Sequence, residues 1–111
     1  MPPMPATIQL GPLSYTIQHS HEALTAFQKT DGCDVYGVAQ NRICNIIIDE
    51  GYPLAREQRT LLHEVIHALQ TIWDMEELKA GDEHYIRLLA TGLLDMIQRN
   101  PDLVLYLTGA E

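Results

Sequence analysis

The sequence predicts an α+β fold: a small N-terminal sheet of three or four strands, antiparallel or mixed, then two main helices and a short terminal one. Three observations carry this. The first half, to about Asp49, holds short runs rich in Ile, Thr, Val and Tyr between turn residues. The second half, from Leu54, repeats its apolar residues at helical spacing. A length of 111 residues has room for one core, so both halves form one domain spanning 1–111.

Residues 1–6 carry three prolines and read as a loose tail. Thr7–Leu10 and Ser14–Gln18 are strand-like and flank a turn at Gly11-Pro12. His21–Lys29 is a short helix or an irregular connection. Asp31-Gly32 signals a turn, Asp34–Ala39 alternates weakly as a strand, and Gln40-Asn41 offers another turn. Arg42–Asp49 is the strongest strand, with Ile46, Ile47 and Ile48 in succession. Pro53 suits the first turn of a helix, where its missing N–H would be unpaired anyway. That helix runs from Leu54 to about Trp73 and aligns Leu61, Leu62, Val65, Ile66, Leu69, Ile72 and Trp73 on a broad buried face. Lys79-Ala80-Gly81 breaks the pattern. Asp82 is an expected N-cap for a second helix, with Ile86, Leu89, Ala90, Leu93, Leu94 and Ile97 on its packing face. Asn100-Pro101 ends that helix and opens a last one, which closes Leu103, Val104, Leu105 and Leu107 onto the core.

Composition excludes several roles. Seven Lys and Arg against 15 Asp and Glu give a net charge of −8, which repels phosphate backbones and anionic lipid heads. No run approaches the roughly 18 apolar residues that span a bilayer, and MPPMPATIQL lacks the basic start and apolar core of a secretory signal. Two cysteines, Cys33 and Cys44, do not make a disulfide framework and suit a reducing cytoplasm. The expectation is a cytoplasmic protein with no nucleic-acid or membrane partner.

The chemistry sits at His63-Glu64-Val65-Ile66-His67, an HExxH inside the long helix. Histidines four apart lie one turn above each other on one side of a helix, so both imidazoles can grip one metal ion. Glu64, about 100° around the helix from His63, stands beside that ion, where it can hold and deprotonate a water attacking a carbonyl carbon. Random placement would produce the pattern in about 2 of 100 chains of this composition. A solvated His/Glu face is the plainer alternative, but the apolar flanks Leu61, Leu62, Val65, Ile66, Ala68 and Leu69 mark a buried helix. Unpaired polar groups there would be costly without a partner. Two His plus a carboxylate suit zinc best, one ion per chain.

A catalytic zinc site uses three protein ligands and keeps one position open. The candidates for the third are Asp74, Glu76, Glu77, Asp82, Glu83 and His84. Asp74, Glu76 and Glu77 read as a solvated helix end and Asp82 as a cap. Glu83 is preferred, because a second helix turning back along the first would bring its opening turn beside the His pair. His84 is the alternative.

Thr60–Leu69, TLLHEVIHAL, resembles the active-site helix of gluzincin-type zinc metallopeptidases. Extended through Ile46–Asp49 and Glu83–Pro101, the pattern is similar to small phage and prophage proteins described as metallopeptidases. The resemblance spans about Arg42 to Leu107. It implies a minimal zincin-like fold, His63, His67 and Glu83 as zinc ligands, Glu64 as general base, a protein or peptide substrate, and the cytoplasm of a bacterial or phage-infected cell. In that class the His face opens into a cleft, here expected beside the strand Arg42–Asp49, where an extended peptide pairs with a sheet edge.

Other side chains read more simply. His19 and His21 form an H-x-H at a strand end, on one face of it, and are expected as exposed loop histidines rather than a second metal site. Tyr85, Tyr106 and Arg87 are candidate oxyanion donors, with core or rim packing and a surface ion pair as their plainer roles. Three functions fit: a zinc peptidase, a zinc-binding structural or regulatory phage protein without turnover, and a hydrolase of non-peptide amides. An intact Glu64 favours an enzyme, since a structural site needs no base.

Overall fold

The computed structural model of the chain describes residues 2–31 and 36–109, the side chains of 29–31 apart. In order, the elements are β1 (Thr7–Leu10), β2 (Leu13–His19), α1 (His21–Asp31), β3 (Gly37–Gln40), a 3-10 turn (Asn41–Ile43), β4 (Asn45–Ile48), α2 (Leu54–Ile72), α3 (Glu83–Arg99) and α4 (Pro101–Thr108). The α+β layout expected from the sequence is therefore what forms. Gly32, Cys33, Asp34 and Val35, parts of an expected turn and strand, lie outside the described residues.

The four strands are ordered β1-β2-β4-β3. β1 and β2 form an antiparallel hairpin with Leu10 opposite Leu13, and β3 and β4 form another with Gln40 opposite Asn45. The two hairpins join along a parallel seam, Ile17 beside Ile46 and His19 beside Ile48. The expected strand Arg42–Asp49 is shorter than the sequence suggests. Arg42 and Ile43 belong to the 3-10 turn, and Cys44 takes a left-handed φ of 52°, which turns the chain into β4. β4 is thus interior, and β1 and β3 are the edges.

Alternation along the strands decides the packing. Ile8, Leu10, Tyr15, Ile17, Ile46 and Ile48 share one face and meet Leu61, Val65, Ala68 and Leu69 of α2 in a single core that also takes in Met96, Leu103 and Tyr106. Ile47 points the other way and is buried outside that core, as is Leu24 of α1, the helix that contacts β4. The close approach of α2 to the edge strand depends on Gly37. A Cβ there would sit 2.8 Å from Thr60 Cγ2 and 3.0 Å from the Ile47 carbonyl oxygen.

α3 keeps only part of the face its sequence suggests: Leu89 and Leu93 are half-buried, and Leu93 packs against the core. Gly92 and Met96 are buried and Tyr85, Leu88 and Leu89 half-buried, while Ile86, Leu94 and Ile97 are exposed. Contacts at its C-terminal half fix this setting. Gly92 fits against the Trp73 indole, which a Cβ would meet at 2.8 Å. Asp95 accepts from Gly11 N–H, Arg99 donates to the Gly11 carbonyl, and Asn100 pairs with both backbone groups of Gln9 at 2.7 Å. Asp82 caps the helix, accepting from His84 N–H, as expected.

Candidate metal centre

His63, Glu64 and His67 come together midway along α2, beside the edge strand β3. Their ligating atoms lie within 4.8 Å of one another, and among the described residues no other group of three His, Cys, Asp or Glu does so. The Nε2 atoms of His63 and His67 are 3.1 Å apart, their rings edge-to-face. Two nitrogens bound to one tetrahedral zinc at the usual bond length stand about 3.3 Å apart, so the observed bite fits the ion. Both imidazoles are exposed, whereas Glu64 is buried, with its Oε2 3.9 Å from His63 Nε2. Burial pushes the Glu64 carboxyl above its ordinary value, and the two histidines and the Ala39 backbone N–H pull it part of the way back.

Gln70 was not apparent from the sequence. It lies three residues after His67, on the same side of the helix, and its Oε1 is 3.2 Å from His67 Nδ1. Donation from Nδ1 to that oxygen leaves His67 Nε2 free to ligate. Gln70 Nε2 in turn donates to the Tyr85 hydroxyl at 2.6 Å, which ties the first turn of α3 to the histidine helix.

Two cavities meet at His63 and Glu64. One, of about 710 Å³, extends toward the start of α2 past Tyr36, Gly37, Arg56 and Arg59. The other, of about 500 Å³, extends past His67, Gln70 and Glu76 along Val38 and Ala39. The cleft is therefore bounded by the edge strand β3, not by the strand Arg42–Asp49 as expected, because β4 is covered on both sides by β2 and β3.

The structure does not bring Glu83 to the histidines. Its side chain is 74% exposed and pairs with Arg87 one turn on. Glu83 precedes Tyr85 by two positions, which on a helix is the far side, so a setting that turns Tyr85 toward Gln70 turns Glu83 away. His84 is also exposed and outside the group. Of the downstream acids considered, Glu76 is the one that lines the histidine cavity. Asp74 takes a left-handed φ of 54° just after α2, and Met75 N–H bonds back to the Gln70 carbonyl, which sets the course of the chain into Glu76.

The remaining candidates have other partners. His19, at the end of β2, places Nε2 3.0 Å from the buried Glu57 of α2. His21 opens α1 and places Nδ1 2.8 Å from buried Asp49. The H-x-H pair is thus split between a strand and a helix and does not share a strand face. Tyr106 is buried away from both cavities, its hydroxyl without a partner among the described residues. Arg87 is in the expected surface ion pair. Cys44 carries a free thiol.

No helix among the described residues is long and apolar enough to cross a membrane. Comparison with known proteins yields no family model, no curated protein and no solved structure that matches the chain.

Proposed function

We propose that the chain is a zinc-dependent hydrolase of peptide bonds, with His63 and His67 as metal ligands and Glu64 as general base. The observation that carries this reading is the pairing of a 3.1 Å Nε2–Nε2 bite with a buried carboxylate beside it, at a sheet edge that no other strand among the described residues covers. Bound zinc would supply Lewis acidity, polarising a carbonyl and acidifying water. Glu64 takes the proton from the attacking water and returns it to the departing amine. Its buried place beside the two histidines suits a group that must hold that proton between the two transfers. His67 is held in its ligating tautomer by Gln70. Among the described residues β3 pairs only with β4, and an extended peptide added to its outer edge would cross the His63–Glu64 junction of the two cavities.

The same reading carries the gluzincin-like resemblance of Thr60–Leu69, a protein or peptide substrate and a cytoplasmic setting, the last supported by the sparse cysteines. A second reading, a zinc-binding interaction protein without turnover, gains from one observation: two of the candidate oxyanion donors stand away from the site, Arg87 paired with Glu83 and Tyr106 buried outside both cavities. Zinc-loaded protein incubated with a denatured-protein mixture separates the two. The peptidase reading expects new peptide termini, near-stoichiometric zinc, loss of zinc in His63→Ala or His67→Ala, and a Glu64→Gln variant that keeps zinc while hydrolysis falls about a hundredfold or more. Zinc-loaded wild type without turnover leaves the interaction protein standing; wild type that stays metal-free in excess zinc removes both.

A further inference from the structure

We infer that the cleft selects substrates bearing a carboxylate on the C-terminal side of the scissile bond, received by Arg56 and Arg59. The inference rests on the peptidase reading above. It begins from a charge imbalance: the chain carries only seven Lys and Arg against 15 Asp and Glu. Arg87 and Arg99 are neutralised, by Glu83 and Asp95, whereas Arg42 and Lys79 have no carboxylate partner among the described residues and line neither of the two cavities. Arg56 and Arg59 have no carboxylate partner among the described residues, yet both line the larger cavity that opens from His63 and Glu64. Arg56 stands with its guanidinium 4.8 Å from the centre of the Tyr36 ring, a contact that orients it without cancelling its charge. The neighbouring acid on this turn, Glu57, faces inward to His19. Two uncompensated guanidiniums beside a catalytic carboxylate form a receptor for an anion, and guanidinium binds carboxylate best through paired hydrogen bonds.

Geometry gives the side. Arg59 and Arg56 precede His63 by four and seven residues, about 6 and 10.5 Å along the helix axis. Extended chain advances about 3.3 Å per residue, so the two arginines face positions two to three residues from the junction. β3 runs from Gly37, which borders the arginine cavity, through Val38 and Ala39, which border the cavity of His67 and Glu76. A peptide added antiparallel, the slightly more stable pairing, leaves past Gly37 and carries its C-terminal half toward the arginines. The carboxylate can come from an Asp or Glu side chain or from the end of a short peptide.

The test uses two readouts. In the first, zinc-loaded wild type cleaves a random, C-terminally amidated peptide library, and the residues after each cut are sequenced. Asp and Glu are expected to be enriched within the first three positions, the enrichment to vanish in Arg56→Gln/Arg59→Gln, and Lys and Arg to be favoured by Arg59→Glu. In the second, labelled peptides bind zinc-loaded Glu64→Gln protein. A Glu-containing amidated peptide should bind about tenfold more tightly than its Gln twin, and the arginine double variant should abolish the difference. A neutral peptide with a free C-terminus, compared with its amide, shows whether a terminal carboxylate serves equally. Cleavage without acid preference, acid preference on the N-terminal side, or preference that survives the double variant overturns the inference and leaves the peptidase standing. Zinc-loaded protein that neither binds nor cuts any peptide overturns both.

Discussion

Gln70 Oε1 and His67 Nδ1 are 3.2 Å apart across one helical turn, and the same amide donates to Tyr85. A histidine ring held this way presents one nitrogen to an ion and has no second orientation of equal energy. Gln70→Ala keeps the helix, since alanine is the best helix former. It is expected to lower zinc affinity by about tenfold to a hundredfold, the usual size of such supporting contacts. Competition with a chromophoric chelator measures it, and unchanged affinity would show that His67 needs no support.

The downstream acids divide by position. Glu76 shares the histidine cavity and Glu83 pairs with Arg87 on the outer side of α3. Glu76→Gln is therefore expected to weaken zinc binding more than Glu83→Gln. The reverse order, read in the same chelator competition, would mean that α3 rotates its first turn toward the histidines when metal binds.

Gly37 is where sheet and helix come closest. Gly37→Ala is expected to destabilise the fold by about 1–3 kcal/mol, the range for overpacking a filled site. Thr60→Ser removes the methyl at 2.8 Å but leaves the Ile47 carbonyl oxygen at 3.0 Å, so it should restore part of the loss and no more. Urea midpoints for the three variants give the comparison.

Two tyrosines set the alkaline limit. Burial, with Cys44 adding to it, pushes the Tyr15 hydroxyl up to about 12. Burial, with Glu57 adding to it, does the same to Tyr106, also to about 12. An unfolded chain releases these protons near the ordinary value of 10, while the native chain holds them. The stability they contribute is thus complete below about pH 10 and lost as pH rises toward 12. Tyr106→Phe should flatten that decline and cost little at neutral pH, because the buried hydroxyl it removes has no partner among the described residues. Unfolding free energies between pH 8 and 12 provide the check.

The histidine site was legible because HExxH needs only one helix, and the apolar residues around it specify that helix without outside help. The hairpin Thr7–His19 was legible for the same local reason. What required the third dimension was pairing. Nothing within Arg42–Asp49 reveals that its strand is flanked on both sides, so the cleft was expected beside the wrong strand. α3 has apolar residues nearly all around it, including Ile86, Leu88, Leu89, Leu93, Leu94, Met96 and Ile97. Periodicity alone then leaves its rotation undetermined, and distant partners decide it: Trp73 against Gly92, Gly11 against Asp95 and Arg99, Gln9 against Asn100. The arginines of the cleft were invisible in the sequence because their meaning lies in the partners they lack.

The parallel seam between β2 and β4 also governs how the molecule acquires its shape. Each hairpin closes over a few residues and forms through short-range encounters, but Ile17 meets Ile46 only after the intervening helix and strand have been brought round. Closing that long loop costs entropy before any contact repays it, which makes docking of the two hairpins the expected slow event in refolding. The four-stranded sheet that backs the HExxH helix is therefore complete only once this pairing has formed.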